Sequence, residues 1–312
     1  MSSSKSIRVF APATSANVNC GFDILGFALE SIGDEIILNI NKKKGLSIKK
    51  ITGDGGTLPL DINLNSATVA MSSLLKHNHI ECGIDITINK KMPSESGLGS
   101  SAASSVAAVY GLNALLGLNL TKLELLKYAI HGEFIASGAL HADNIAPSML
   151  GGFTLIRDAH TFDIVQIPSP SNLHYAIIHP HLKINTKEAR KILKNYVNLN
   201  DFITQSANLA GLIAGLCTDD YSLISRSLVD VVVEPNRRPL IPNFNYIKQS
   251  VLDAGALGFG ISGSGPSLFT LNSSENIAHK VGGIMQNEFA KMKIKSEVYV
   301  GKINHAGALV IL

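Results

Sequence analysis

The densest concentration of chemistry in this sequence is Pro93-Ser94-Glu95-Ser96-Gly97-Leu98-Gly99-Ser100-Ser101-Ala102-Ala103. Small residues let backbone N–H groups approach an anion closely, and a helix opening at about Ser100 adds its positive N-terminal end. The string is therefore a candidate phosphate cradle. It lacks the G-x-x-x-x-G-K-[ST] spacing of the P-loop together with its lysine, so phosphate charge has to be neutralised by other groups. Thr121-Lys122-Leu123-Glu124 has the capping-box form and predicts a helix running to Ser137. On that helix Leu123, Leu126, Ile130 and Phe134 define an apolar face, and Glu133 falls within about 20 degrees of Leu126 on the same face. A carboxylate there needs a partner. A salt bridge to Lys or Arg would serve, and so would Mg²⁺ held by one carboxylate, a hydroxyl and substrate phosphates.

Further polar groups stand in otherwise apolar or small-residue stretches. His141-Ala142-Asp143-Asn144 suits a polar substrate as well as it suits a hydrogen-bonded loop. The segment Ala11 to Gly26 carries Asn17 and Asp23, while Thr186 to Arg190 and Glu234 to Arg238 supply arginines able to clamp a carboxylate. Gly258-Phe259-Gly260-Ile261-Ser262-Gly263 formally matches G-x-G-x-x-G, yet it leads into the strand-like Ser267 to Leu271 instead of a helix. The dinucleotide fingerprint, and with it an NAD-dependent oxidoreductase, is rejected on that context. A glycine loop of close backbone approach, buttressing the cradle, fits better. His77-x-His79 and His179-x-His181 lack Cys or carboxylate partners in metal spacing and read as surface or loop histidines.

These residues must be positioned by a fold. Runs at 7–10, 36–40, 46–51 and 84–90 show strand character, interrupted by a helix over Asn65 to Leu75. Helices follow Gly99 and Thr121, and a strand returns at Gly151 to Ile156. Ile167-Pro168-Ser169-Pro170-Ser171 reads as a linker because prolines propagate neither element. The second half predicts strands at 175–178, 267–271 and near the end, with helices at 186–196, 200–216, 219–229, 243–253 and 275–290. The fold class is α+β, in two domains, 1–166 and 167–312.

Composition narrows the function classes. Of 312 residues 46% are hydrophobic and 16% charged, so a large core is affordable without staples. Lys and Arg number 27 against 24 Asp and Glu, without the dense basic stripe that nucleic acid or a membrane surface requires. Cys20, Cys82 and Cys217 are odd in number and widely spaced, which argues against a disulfide framework and fits a reducing compartment. No apolar run approaches the length of a membrane span, and the start has no signal-peptide core, so a cytoplasmic protein is expected.

Three segments together, the Ala-Pro-Ala-Thr-Ser-Ala-Asn run at 11–17, the loop Pro93 to Ala103 and Gly258 to Ser267, resemble the three motifs of the GHMP kinases, which include galacto-, homoserine, mevalonate and phosphomevalonate kinases. Asn17, Cys20 to Asp23, Gly138 to Asn144, Thr186 to Arg190 and Glu234 to Arg237 resemble the branch acting on homoserine in particular. The resemblance implies a two-domain fold, with an N-terminal half like domain 2 of ribosomal protein S5 and a C-terminal ferredoxin-like α/β sandwich. It implies ATP-dependent phosphorylation of the side-chain hydroxyl of L-homoserine to O-phospho-L-homoserine, a step toward threonine. By position, Pro93, Ser94, Glu95, Ser96, Gly97, Leu98, Gly99, Ser100, Ser101, Ala102 and Ala103 would cradle the ATP phosphates. Ser101 and Glu133 would hold Mg²⁺, and Asn65 would border the adenine. Asn17, Asp23, His141, Asp143, Asn144, Thr186, Arg190 and Arg237 would bind the amino acid, Asn144 also orienting the acceptor hydroxyl. No general base is assigned, since a loose phosphoryl-transfer transition state needs alignment and charge neutralisation above all.

Two departures accompany this. Glu95 puts a carboxylate inside the phosphate loop, and Arg237 and Arg238 are adjacent, with Arg237 favoured as the substrate contact. The alternatives are a kinase of another small alcohol such as mevalonate, and a non-catalytic protein on the same fold. Family habit and the frequency of two-fold assemblies add a homodimer to the expectation.

Overall fold

The computed structural model describes residues 5–93, 95–137 and 142–311. The N-terminal half is built on one sheet. β1 (Ser6–Ala16) pairs antiparallel with the long β2 (Leu25–Asn41), which pairs with β4 (Gly83–Asn89) beyond it. β3 (Gly45–Thr52) lies parallel to β4 at the edge, and the crossover that a parallel pair requires is supplied by α1 (Ser66–His77). β5 (Phe153–Asp158) joins the start of β2, and β6 (Asp163–Ile167) pairs with β5. Three helices, α2 (Ser100–Leu116), α3 (Lys122–Ser137) and α4 (Ala142–Leu150), pack together, α2 and α4 lying directly against β1 and β2. The helix α2 is apolar or small on nearly every side and is buried along most of its length, as such a pattern demands.

The strands of the second half are β7 (His174–Pro180), β8 (Gly258–Ile261), β9 (Leu268–Asn272) and β10 (Ser296–Lys302), ordered β10-β7-β9-β8 and antiparallel throughout. Counted within this half the order is 4-1-3-2, with helices after the first and third strands, which is the ferredoxin-like arrangement. Helices α5 (Thr186–Lys191), α6 (Leu199–Cys217), α7 (Tyr221–Ser227), α8 (Glu234–Arg237) and α9 (Phe244–Asp253) fill the first connection, and α10 (Glu275–Lys291) fills the second. The final strand β11 (Leu309–Val310) returns to β1, so the first sheet contains both ends of the described chain.

One core runs through both halves. Phe27 of β2 lies 5.1 Å from Phe153, 5.8 Å from Phe269 and 6.3 Å from Tyr175, ring to ring, so aromatic packing joins the two sheets. A second core between the ferredoxin-like sheet and α9 and α10 is filled by Phe244, Ile247, Phe259, Val281, Met285 and Phe289. Among the described residues no helix is long and apolar enough to cross a membrane.

Three local expectations change. Gly258 to Ile261, expected as a loop, forms the edge strand β8, because the glycines let Asn19 and Leu228 press against its backbone. His179, expected at the surface or in a loop, is a buried residue of the central strand β7; its Nδ1 lies 3.1 Å from Ser267 Oγ, and burial pushes its pKa down. On α3, Leu123 and Phe134 are half exposed, whereas Leu125, Leu126, Ala129, Ile130 and Glu133 are buried. The helix is rotated from the expected face, and Glu133 remains inside.

Candidate active site

A cleft of about 530 Å³ opens between the halves. Its floor is the loop before α2. Gly97 (φ 79°) and Gly99 (φ 67°) take the left-handed backbone region. A Cβ on Gly97 would sit 2.5 Å from the Ser262 carbonyl oxygen, and one on Gly99 would sit 2.2 Å from Thr14 Oγ1. No side chain caps α2, which leaves its first N–H groups directed at the cleft. The loop is pinned from both halves. Thr14 N donates to the Leu98 carbonyl at 3.0 Å, Ser262 Oγ to the Gly97 carbonyl at 2.7 Å and Ser267 N to the Ser96 carbonyl at 3.3 Å. The late glycine segment thus buttresses the cradle, as its sequence suggested. Leu98, Ala102 and Ala103 are fully buried supports of the loop, Pro93 lies outside the cleft lining, and Ser94 lies outside the described residues. Glu95 does border the cleft, but it reaches across to Lys183 at 3.7 Å, with both side chains largely in solvent.

Beside the cradle, Ser101 Oγ donates to Glu133 Oε2 at 2.6 Å. The carboxylate is 6% exposed and the two oxygens converge on the cleft. A hydroxyl and one buried carboxylate next to a phosphate loop form a hard-oxygen donor pair, which fits Mg²⁺, an ion that shares its coordination with substrate phosphates and water. Lys90 lies under the same loop. Its Nζ donates to the Ser100 carbonyl and to Ser104 Oγ, both at 2.8 Å, and is paired with the Asp34 carboxylate.

Across the cleft stand the polar residues of the second cluster. Asn144 Oδ1 accepts from Thr14 Oγ1 at 2.8 Å, which turns the amide N–H₂ the other way. Asp143 is 2% exposed; burial, followed by the charges of Asp23 and Glu133, pushes its carboxyl up to about 7. Asn17 bridges the halves, its Nδ2 donating to the Gly263 carbonyl at 2.7 Å and its Oδ1 accepting from Asp23 N at 3.0 Å. Arg190 makes a two-pronged pair with Asp23, with Nη1 3.0 Å from Oδ1. Arg237 is buried and lines the cleft; Arg238 is exposed and outside it. Thr186 Oγ1 lies 3.1 Å from Ser264 Oγ, and Asn65 caps α1 through Ala67 N at 3.1 Å while lining the far end. His141 lies outside the described residues.

Sequence reasoning passed over Thr14, Phe22 and Lys90. For Lys90 a signal existed, since it continues the alternation of Ile84, Ile86 and Ile88 and so sits on the buried face of β4.

A glycine loop at an uncapped helix start, an adjacent hydroxyl and carboxylate pair, and opposed acidic and arginine groups in one cleft are the arrangement a small-molecule kinase requires. GHMP kinases N terminal domain matches residues 65–152 and GHMP kinases C terminal matches 212–291. The homoserine kinase of Chlorobium phaeovibrioides is 46% identical over 98% of this chain and 100% of its own length. The crystal structure of homoserine kinase from Cytophaga hutchinsonii superposes with a TM-score of 0.96 at 50% identity, covering 100% of this chain and 99% of that one. The L. major mevalonate kinase, at 16% identity and a TM-score of 0.71 over 98% of this chain and 97% of its own, shares the fold. The chain belongs to the GHMP kinase family, and within it to the homoserine kinases.

Proposed function

We propose that this chain transfers the γ-phosphoryl group of ATP directly to the side-chain hydroxyl of L-homoserine, giving O-phospho-L-homoserine and ADP. The observation that carries this is one shared cleft in which the glycine loop faces Asp23, Asp143, Arg190 and Arg237. An α-amino acid presents an ammonium and a carboxylate. Asp143 and Asp23 suit the first, and the Arg190 and Arg237 pair suits the second. Mevalonate has no ammonium to compensate the buried Asp143. That disfavours the nearest rival substrate.

In this reading the backbone N–H groups of Gly97 to Ser101 hold the phosphates, and the apolar wall of Leu58, Pro59, Leu64 and Ile88 takes the adenine beside Asn65. Thr14 fixes the Asn144 amide so that its N–H₂ orients the acceptor hydroxyl. Asn17 and Arg237 share the Gly263 carbonyl, which ties the amino-acid end to the loop that buttresses the cradle. Ser101 and Glu133 would hold magnesium, which supplies charge neutralisation at the phosphates. No residue is required as a strong base, because alignment and electrostatic stabilisation dominate a loose phosphoryl transfer. The protein is expected to act as a cytoplasmic enzyme, as a homodimer, without nucleic-acid or membrane partners.

The test is ADP release with L-homoserine, mevalonate, L-serine and no acceptor. Strong release with homoserine alone is expected, and equal release with mevalonate would overturn the substrate assignment. Glu133→Gln and Ser101→Ala should each raise the Mg²⁺ concentration for half-maximal rate by about tenfold, the scale of one lost hard ligand. Unchanged metal dependence in both variants would remove these residues from the metal site.

A further inference from the structure

Phe22 is the centre of the arginine pair. Its ring, half-buried in the turn between β1 and β2, lines the cleft with the Arg190 guanidinium carbon 5.3 Å from its centroid and that of Arg237 at 5.1 Å. The charge of Arg190 disfavours that of Arg237, and each guanidinium is also fixed from elsewhere. Arg190 is held by Asp23, the residue after Phe22. Arg237 donates from Nε to the carbonyl of Ala189, the residue before Arg190, at 3.2 Å and from Nη1 to that of Gly263 at 2.9 Å. An aromatic face is attractive to both cations without neutralising either, and a rigid ring gives both a fixed seat. A second carboxylate in that place would neutralise Arg237 as Asp23 already neutralises Arg190; an aliphatic side chain would leave the repulsion between the guanidiniums uncompensated.

We infer that Phe22 is a positioning and specificity-determining residue, a shared aromatic face on which Arg190 and Arg237 are seated together to receive the substrate's α-carboxylate. The inference rests on the proposed amino-acid function. It predicts an effect confined to acceptors that carry a carboxylate.

The experiment compares wild type, Phe22→Leu and Phe22→Tyr with two acceptors, L-homoserine and 3-aminopropan-1-ol, which keeps the hydroxyl and the amine and lacks the carboxylate. Phe22→Leu should raise KM for homoserine about tenfold, the combined weight of two cation–π contacts, with kcat and KM for ATP within about twofold of wild type. Its kcat/KM for the amino alcohol should be unchanged, which also shows that the variant is folded. Phe22→Tyr keeps the ring and should restore the homoserine KM. A wild-type preference for homoserine that survives undiminished in Phe22→Leu, or an equal loss on both acceptors, overturns the inference and leaves the function standing. Wild-type enzyme that uses both acceptors equally well has no carboxylate site, and then the function and the inference fall together.

Discussion

Lys90→Met is expected to destabilise the protein by about 3–5 kcal/mol, the cost of leaving one member of a buried ion pair alone. Against a typical total of about 5–15 kcal/mol that is enough to unfold a large fraction of the chain near physiological temperature. The side chains of Lys90 and Asp34 are 2% and 0% exposed. In the β2–β4 register Glu35 stands opposite Asn89, so the next cross-strand position sets Asp34 against Lys90. Burial pushes the Lys90 pKa down and the Asp34 charge opposes that shift. The double variant Lys90→Met with Asp34→Leu removes both charges and should regain most of the lost stability in urea unfolding, since an apolar pair of similar volume is often neutral or better. It should not regain nucleotide affinity. Lys90 Nζ is the donor to the Ser100 carbonyl and Ser104 Oγ, in the first turns of the helix proposed to receive the phosphates. KM for ATP in the double variant should stay about tenfold or more above wild type. A stable double variant with the wild-type KM would reduce Lys90 to a structural role.

That pair also shows how far a sequence can be read. Lys90 follows three buried isoleucines at period two, and Asp34 precedes Ile36 and Leu38 in the same way, so each charge is visibly on a buried face. Which charge meets which depends on strand register; alternation fixes the face each residue takes, but which of several same-face partners 56 positions away it meets is settled by the pairing of whole strands. The glycine loop proposed to hold phosphate was legible because its parts are contiguous: backbone, glycines and helix start act within a few residues. Ser101 and Glu133, 32 positions apart, could be named separately, but their 2.6 Å contact follows from the packing of α2 on α3. The helical wheel of α3 gave the buried face of Glu133 and misplaced Leu123 and Phe134, because a wheel assigns phase while the neighbouring helices decide where the buried arc ends. At the proposed amino-acid end, the residue types of Asp23 and Arg190 pointed to opposite ends of a substrate. Their mutual pairing, 167 positions apart, and the meeting of both arginines on the Phe22 ring arise only when the two halves close on one cleft.

Asp143→Asn is expected to abolish efficient use of homoserine while making the protein more stable in alkaline solution. The Asp143 carboxyl is 2% exposed, and its Oδ1 has no hydrogen-bond partner among the described residues. Burial, with the charges of Asp23 and Glu133 behind it, raises its pKa from 3.8 to about 7. Between these two values the folded chain holds a proton that the unfolded chain has released. The contribution of this group to stability is therefore full in acid, is lost as pH rises toward about 7 and stays lost above it. Asparagine cannot ionise, so the Tm of the variant should gain on that of wild type between pH 5 and pH 8. Binding has the opposite preference, because the substrate ammonium favours the ionised carboxylate. In wild type, KM for homoserine should climb below pH 7, approaching about tenfold per pH unit as each binding event has to displace a proton. In Asp143→Asn that limb should disappear and KM should sit about 10–100-fold higher at pH 8, the range for losing a hydrogen bond to a charged group. A wild-type KM flat from pH 5.5 to 8, or a variant with unchanged KM at pH 8, would separate Asp143 from the ammonium. The stability gain would then remain as a property of an isolated buried acid.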